Sequence, residues 1–396
     1  MARSIVNVID LGSANIKVVM AERPLVGTRS ITGEPGLRIL GAGMVKSEGI
    51  RKGAVTKEDV LSGCIKEAVK IAERMSGIPL KHAFLSFGSS ALGFQKSRGR
   101  VVVSRADGEI SEYDMERALK QARPATSVMQ NREVLETFGL NYFIDDEQPT
   151  KDPLGIKGEN LEAEVLFITA QRKILQELID VVDKSGIAVD DVVPSPLGVA
   201  RSVLDRRERE VGVLTLDIGA ETSSIGVFEE GLPYSLAVFP FGSNHITNDI
   251  ALGFQVSLEV AEKIKLGTEI PENTVQARKK LANIIEARME DMFELIDGHL
   301  KKIGRAGLLP GGVVISGGGA RLEGVAEFAK NSLRLPARVG KCVELESNHK
   351  IADPIWSAAV GIALMSFDED KGTGVSLKKP SQLKHKIAVW LKSLIP

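Results

Sequence analysis

Apolar residues from Val6 to Ile9 form a short run that stops at Asp10-Leu-Gly12-Ser13-Ala14-Asn15, and Ile16 to Met20 are apolar again except at Lys17. Two apolar runs around a Gly-rich turn predict a β-hairpin. The pattern returns at Val213-Leu-Thr-Leu-Asp217-Ile-Gly219-Ala220-Glu221-Thr222-Ser223, followed by Ile225 to Phe228. Strand, Asp-x-Gly turn and strand thus occur once in each half of the chain, which points to an internal duplication.

Between the hairpins, strand and helix signals alternate, which favours an α/β class. Thr56-Lys-Glu-Asp59 has the form of a capping box for a helix whose stripe is Val60, Ile65, Ala68, Ile71, Ala72 and Met75, ended by Gly77. Cys64 falls beside that stripe and is expected to pack as core. Ala83 to Phe87 reads as a strand. The stretch from Ser89 to Ala163 has its own mix: a strand at Arg100 to Val103, a helix from about Ser111 to Arg123, and a polar loop near Asp145 to Lys157. It reads as a small inserted subdomain. Leu166 to Thr169 is a buried-type strand, and Gln171 to Ser185 an amphipathic helix ended by Gly186. Gly242 to Asp249 opens a mostly helical stretch reaching Gly304, after which a strand from Gly311 runs into Gly317-Gly318-Gly319-Ala320 and a helix. Asp368 to Pro380 is polar and reads as a linker.

Length and composition narrow the choices. A chain of 396 residues, 43% of them hydrophobic, can bury a large core and suggests two or more lobes. With 51 basic against 52 acidic residues the net charge is -1, so nothing global draws the chain to nucleic acid or membrane, and no nucleic-acid partner is expected. Two cysteines, in no CxxC pair, and five histidines in no metal-ligand spacing argue against a disulfide framework or structural zinc. Asp10 interrupts the first apolar run before it reaches the ~7 to 15 residues of a signal-peptide core, and no run nears the ~20 residues of a membrane span. A cytoplasmic protein, with peripheral membrane contact at most, is the expectation.

A nucleotide's phosphates need closely approaching backbone amides, which glycine permits, and a divalent cation held by carboxylates, often through water. Asp10-Gly12-Ser13 and Asp217-Gly219 supply two such turns, and Lys17 is placed to point back at a phosphate. One Asp-x-Gly turn is common in ordinary hairpins. The ordered set of first hairpin, second hairpin and Gly317-Gly318-Gly319 is far more specific, and in it the chain resembles the actin/Hsp70/sugar-kinase superfamily. No GxxxxGK[ST] occurs, nor GxGxxG after the first strand, which disfavours P-loop and Rossmann readings. The resemblance implies ATP and Mg²⁺, with Asp10, Gly12, Ser13, Ala14 and Lys17 on one side and Asp217, Gly219, Ala220, Glu221 and Thr222 on the other. Asp10 and Asp217 would hold the metal, through water. It implies further that Gly317, Gly318, Gly319 and Ala320 face adenosine, and that Glu262 and Lys265 of Ala261-Glu-Lys-Ile-Lys265 reach it. A solvated Glu/Lys helix face is the alternative for that pair. Strongly hydrolysing relatives carry Glu or Gln on the helix before the second phosphate strand; here Pro194-Ser195-Pro196-Leu197-Gly198-Val199 holds neither, so slow hydrolysis is expected.

Further stretches narrow the resemblance to the FtsA family: Gly49-Ile-Arg-Lys-Gly53, Ala72 to Gly77, Asp152-Pro-Leu-Gly-Ile-Lys-Gly158 with Leu161-Glu-Ala163, and Ile246 to Ala251. The family fold is two duplicated actin-like lobes with an inserted SHS2-type subdomain and a C-terminal amphipathic helix. Carried onto this chain, lobe 1 spans 1–83 and 164–210, the insert 84–163, lobe 2 211–235 and 313–366, a helical subdomain 236–312, a linker 367–380 and a membrane helix 381–396. In the last segment Leu383, Ile387, Trp390, Leu391, Leu394 and Ile395 recur at steps of three and four, flanked by Lys384 and Lys386. No acid follows Asp370 while six lysines do, as suits an interfacial helix on anionic lipid; core packing is the alternative. The resemblance implies a polymerising adaptor that binds ATP, hydrolyses it weakly if at all, and tethers FtsZ filaments to the cytoplasmic face of the inner membrane at the septum. FtsZ's C-terminal peptide would dock on 236–312, and other division proteins are implied as partners. A PilM-like pilus scaffold and an Hsp70- or sugar-kinase-like ATPase are the rival readings.

Overall fold

Two five-stranded sheets repeat one topology. The computed structural model describes residues 5–22, 37–123, 130–269, 274–342 and 350–368. In chain order its strands are β1 (Ile5–Leu11), β2 (Asn15–Glu22), β3 (Arg38–Lys46), the short pair β4 (Ile50–Arg51) and β5 (Ala54–Val55), β6 (His82–Phe87), β7 (Leu92–Val102), β8 (Arg132–Ile144), β9 (Asn160–Gln171), β10 (Ala188–Pro194), β11 (Val213–Ile218), β12 (Ser223–Glu229), β13 (Leu232–Phe239), β14 (Val313–Ser316) and β15 (Ala337–Val339). The helices are α1 (Glu58–Ser76), α2 (Glu112–Gln121), α3 (Arg172–Lys184), α4 (Ser195–Val203), α5 (Arg206–Val211), α6 (Ser243–Phe254), α7 (Leu258–Lys265), α8 (Val275–Lys302), α9 (Val325–Leu333) and α10 (Ser357–Asp368).

The first sheet runs β3-β2-β1-β6-β10 and the second β13-β12-β11-β14-β15. In both, the first three strands are antiparallel and the last two join in parallel. The duplication seen in the hairpins therefore extends to whole sheets. The central strands are nearly continuous apolar runs, because helices cover both faces. Two of those helices exchange partners. α4 follows a strand of the first sheet but packs on β11 and β12, while α10 follows the second sheet and packs on β1 and β2. They cross where Gly198 meets Gly361; a Cβ on Gly361 would overlap the Gly198 carbonyl. Small residues at that crossing let the two helices approach closely.

β7, β9 and β8 form a separate antiparallel sheet that carries α2. Its strands are longer than the pattern predicts: the expected Arg100–Val103 strand begins at Leu92, and Leu166–Thr169 is part of Asn160–Gln171. Most of β7 is half-exposed, so polar residues mask its alternation, and pairing with β9 sustains it. No helix of the described residues is long and apolar enough to cross a membrane.

Four local expectations need correction. Thr56 does not cap α1: the cap residue is Lys57, with no side-chain cap bond, because the Gly49 carbonyl takes the Thr56 and Lys57 amides at 2.8 and 3.1 Å. The stripe of α1 is also rotated. Leu61, Ile65, Ala68, Val69 and Ala72 are buried, whereas Val60, Ile71 and Met75 are exposed. Gly41 and Gly43 of β3 admit the Ala72 and Ala68 carbonyls where any Cβ would clash, and this close approach sets the helix rotation. Cys64 packs half-buried against the core, as its place beside the stripe suggested. Finally, Gly317–Gly319 lead into a single 3₁₀ turn, Gly318–Arg321, and the α-helix starts only at Val325. α10 extends to Asp368, past the start of the expected linker. The expected membrane segment, with Leu383, Lys384, Lys386, Ile387, Trp390, Leu391, Leu394 and Ile395, lies outside the described residues.

Candidate functional site

The two Asp-x-Gly turns are built alike. Each Asp is the next-to-last residue of its strand and pairs with the residue seven positions later on the returning strand: Asp10 with Lys17, Asp217 with Ser224. A Cβ on Gly12 would stand 2.8 Å from the Asn15 carbonyl, and one on Gly219 would stand 2.7 Å from that of Thr222. Glycine is thus required at the same place in each turn. Gly219 N–H donates to that Thr222 carbonyl at 2.9 Å. The Gly219 and Ala220 carbonyls accept the first amides of α6, from Ser243 at 2.9 Å and Asn244 at 2.8 Å. The second turn and the N-terminus of α6 therefore form one rigid unit.

Both turns open into one cavity of about 750 Å³ between the lobes. It is lined by Asp10, Gly12, Ser13, Ala14 and Lys17 from the first lobe and by Asp217, Gly219, Ala220 and Thr222 from the second. Gly317, Gly318, Gly319, Glu262 and Lys265 join them. Leu281, Ile285 and Met289 of α8, with Leu322, give one part of the wall an apolar character.

The charges are arranged unequally. Lys17 Nζ lies 2.6 Å from Asp10 Oδ2 and donates to the Ile355 carbonyl at 2.7 Å, so its charge is held within the first turn. Asp217 has no such partner among the described residues. Burial pushes its carboxyl up to about 6, with Lys17 opposing and the Asp10 charge adding to the rise. Gly317 has φ 78°, and a Cβ there would overlap Asp217 Oδ1, so glycine allows the end of β14 to stand against that carboxylate. Across the cavity, Glu262 and Lys265 pair at 2.7 Å. The Thr247 hydroxyl donates to Glu262 at 2.6 Å and accepts from Lys265 at 2.9 Å. Lys265 is almost wholly buried, which is not the behaviour of a solvated helix face.

Two expected site residues stand elsewhere. The Glu221 carboxylate accepts the Lys52 amide at 2.8 Å and lies 3.6 Å from Arg51 Nε. It ties the second turn to the β4–β5 hairpin of the other lobe instead of facing the cavity. Ala320 is buried within the 3₁₀ turn and is not part of the lining. Conversely, Asn15, Ser195, Ser224 and Arg321 line the cavity. Among those not expected there, Ser224 had a legible signal: it stands at the same offset from Asp217 as Lys17 from Asp10. The first residues of α4 offer the cavity only Ser195, with no acid or amide side chain.

Duplicated sheets, crossing helices and a cleft floored by paired turns define the actin-like fold. The same architecture is found in the PilM–PilN type IV pilus biogenesis complex, with a TM-score of 0.64 at 16% identity, covering 92% of this chain and 98% of that one. Within that class, the chain belongs to the FtsA family of cell division proteins. It is 30% identical to the cell division protein FtsA of Borreliella burgdorferi, over 98% of both chains. It is 31% identical to that of Bacillus subtilis (strain 168), over 96% of this chain and 88% of the relative. Family profiles agree, one for cell division protein FtsA over residues 214–361 and one for the SHS2 domain inserted in FtsA over residues 90–169.

Proposed function

We propose that the cleft binds ATP with Mg²⁺, and that the protein is a polymerising adaptor that tethers FtsZ filaments to the cytoplasmic membrane at the division septum. One observation carries the nucleotide reading: turns from separate halves of the chain open into a single cavity. The residues fit the group. A volume of about 750 Å³ falls in the ordinary range of small-molecule sites, and two glycine turns supply close backbone amides. No cluster of three or more His, Cys, Asp or Glu among the described residues is arranged for a metal. Asp10 and Asp217 would therefore hold a cation only together with water and phosphate oxygens. The bound cation would supply charge neutralisation at the phosphates. Lys17 would add a fixed positive charge, Glu262 and Lys265 would orient the nucleoside, and the apolar part of the wall would exclude water.

The site binds better than it reacts. In the stretch 194–199, where the family resemblance puts a water-orienting acid or amide, the cavity meets only Ser195, so slow turnover is expected. Membrane attachment rests on the sequence of 381–396, whose apolar face and lysines suit an anionic surface. Self-association would strengthen that attachment through avidity. The test combines partner and tether. Wild-type protein should co-sediment with anionic liposomes and carry FtsZ with it, while a chain lacking residues 381–396 leaves FtsZ in the supernatant. Capture of pilus-assembly peptides without FtsZ would move the PilM-like scaffold reading ahead.

A further inference from the structure

Ser224 is 5% exposed and lines the cavity, yet its hydroxyl has no hydrogen-bond partner among the described residues. A buried hydroxyl left unpaired costs stability, so it calls for a reason. Its neighbours supply one. Ser224 is the register partner of Asp217 on the adjacent antiparallel strand, which puts the two side chains on one face with Cβ atoms about 5 Å apart. The equivalent pair in the first lobe, Asp10 and Lys17, is closed by a 2.6 Å ion pair. The second pair is left open on both members, since no hydrogen bond from the described residues reaches the Asp217 carboxylate either. The duplication has thus kept the frame while changing the chemistry: one half satisfies itself, and the other holds an acid and a hydroxyl side by side.

We propose that Ser224 is a ligand-contact residue of the nucleotide site, its hydroxyl reserved for an oxygen of the cation–phosphate group, either a metal-bound water or a phosphate oxygen. The proposal rests on the nucleotide reading above. Ser223 is a matched control. It is fully buried, its hydroxyl is also unpartnered, and it is not part of the cavity lining. Alternation along β12 turns it to the opposite face.

The experiment compares wild type, Ser224→Ala and Ser223→Ala in the full chain by thermal unfolding and by titration with fluorescent ATP, with Mg²⁺ and with EDTA. Removing an unpaired hydroxyl takes away a burial cost, so Ser224→Ala without ligand should melt no lower than wild type. Its Mg·ATP affinity should fall about ten-fold, the loss of one hydrogen bond to a charged group. The stabilisation by Mg·ATP should shrink accordingly. Ser223→Ala should bind as wild type. A deficit seen only with Mg²⁺ assigns the contact to metal-bound water, and one that persists in EDTA assigns it to phosphate. Wild-type affinity in Ser224→Ala, or equal losses in both variants, would overturn the proposal while leaving the nucleotide reading standing. Absence of any ATP effect on wild type would overturn both.

Discussion

Replacing Asp217 with Asn should make the unliganded protein more stable at neutral pH while destroying the proposed cation site. The carboxyl titrates near 6 in the fold against an ordinary value of 3.8, chiefly because it is desolvated beside Gly317 and Ile218. A raised carboxyl pKa means the folded state holds its proton more tightly, so folding is disfavoured as pH rises from about 4 through 6 and the cost is then constant. At pH 7 the difference amounts to about 3 kcal/mol, which solvent at the cleft mouth reduces to ~2 kcal/mol; at pH 4 it is only about 0.5 kcal/mol. Asn has nearly the same shape and no charge to desolvate. Urea unfolding of both proteins at pH 4, 5, 6, 7 and 8, without nucleotide, should show the variant's advantage growing up to about pH 7 and then levelling. With Mg·ATP the order should reverse, because only the wild type gains a cation partner for its carboxylate. If Asp217→Asn proved less stable than wild type at pH 7, or its advantage did not change with pH, the argument that this carboxylate stands unpaired in the empty cleft would be refuted.

Gly317→Ala should lower stability by about 1 to 3 kcal/mol and abolish ATP binding, since φ 78° is strained for alanine and the new methyl overlaps Asp217 Oδ1; melting and ATP titration read both. Steady-state hydrolysis by purified wild type should be slow, and Ser195→Glu should raise it by supplying a group that orients water; fast wild-type turnover would contradict the reading of α4. Trp390→Glu should weaken liposome binding ten-fold or more, given roughly 1.5 to 3 kcal/mol for burying one large side chain, and leave ATP affinity unchanged. Co-sedimentation and ATP titration on the same preparation separate the two effects.

The duplication was legible because it rests on runs that are mostly apolar on both faces. Val6 to Ile9 and Val213 to Leu216 sit at the centres of their sheets, buried on both sides. The insert was legible as a unit but not in its strand lengths, because β7 has little buried surface to mark it and takes its extent from β9. Helix rotation was illegible for another reason. Val60, Ile71 and Met75 are as apolar as the residues that are buried, and the choice is made by Gly41 and Gly43 on a different strand. Most of the expected nucleotide residues meet at the cavity because the turn itself places them. Glu221 does not, because its partner is the Arg51–Lys52 turn, which only the folded chain brings near.

Those cross-cleft contacts bear on how a site with little catalytic equipment could still matter. The lobes touch at the crossing of α4 and α10, at Glu221 with Lys52, and where the insert meets β13 and its turn, with Lys96 Nζ 3.5 Å from the centre of the Tyr234 ring and Lys151 2.6 Å from Glu230. Without ligand, the cavity between them holds a desolvated Asp217 carboxylate and an unpaired Ser224 hydroxyl, both on the second lobe. A bound cation and phosphate would remove both costs, and would also meet Asp10 and Lys17 only while the two turns face each other, so the ligand would favour one lobe orientation by its differential interaction with it. The insert and the helical region around α8 belong to different sides of that joint. Their relative placement, which any filament contact spanning them must match, would then follow nucleotide occupancy without any bond being broken.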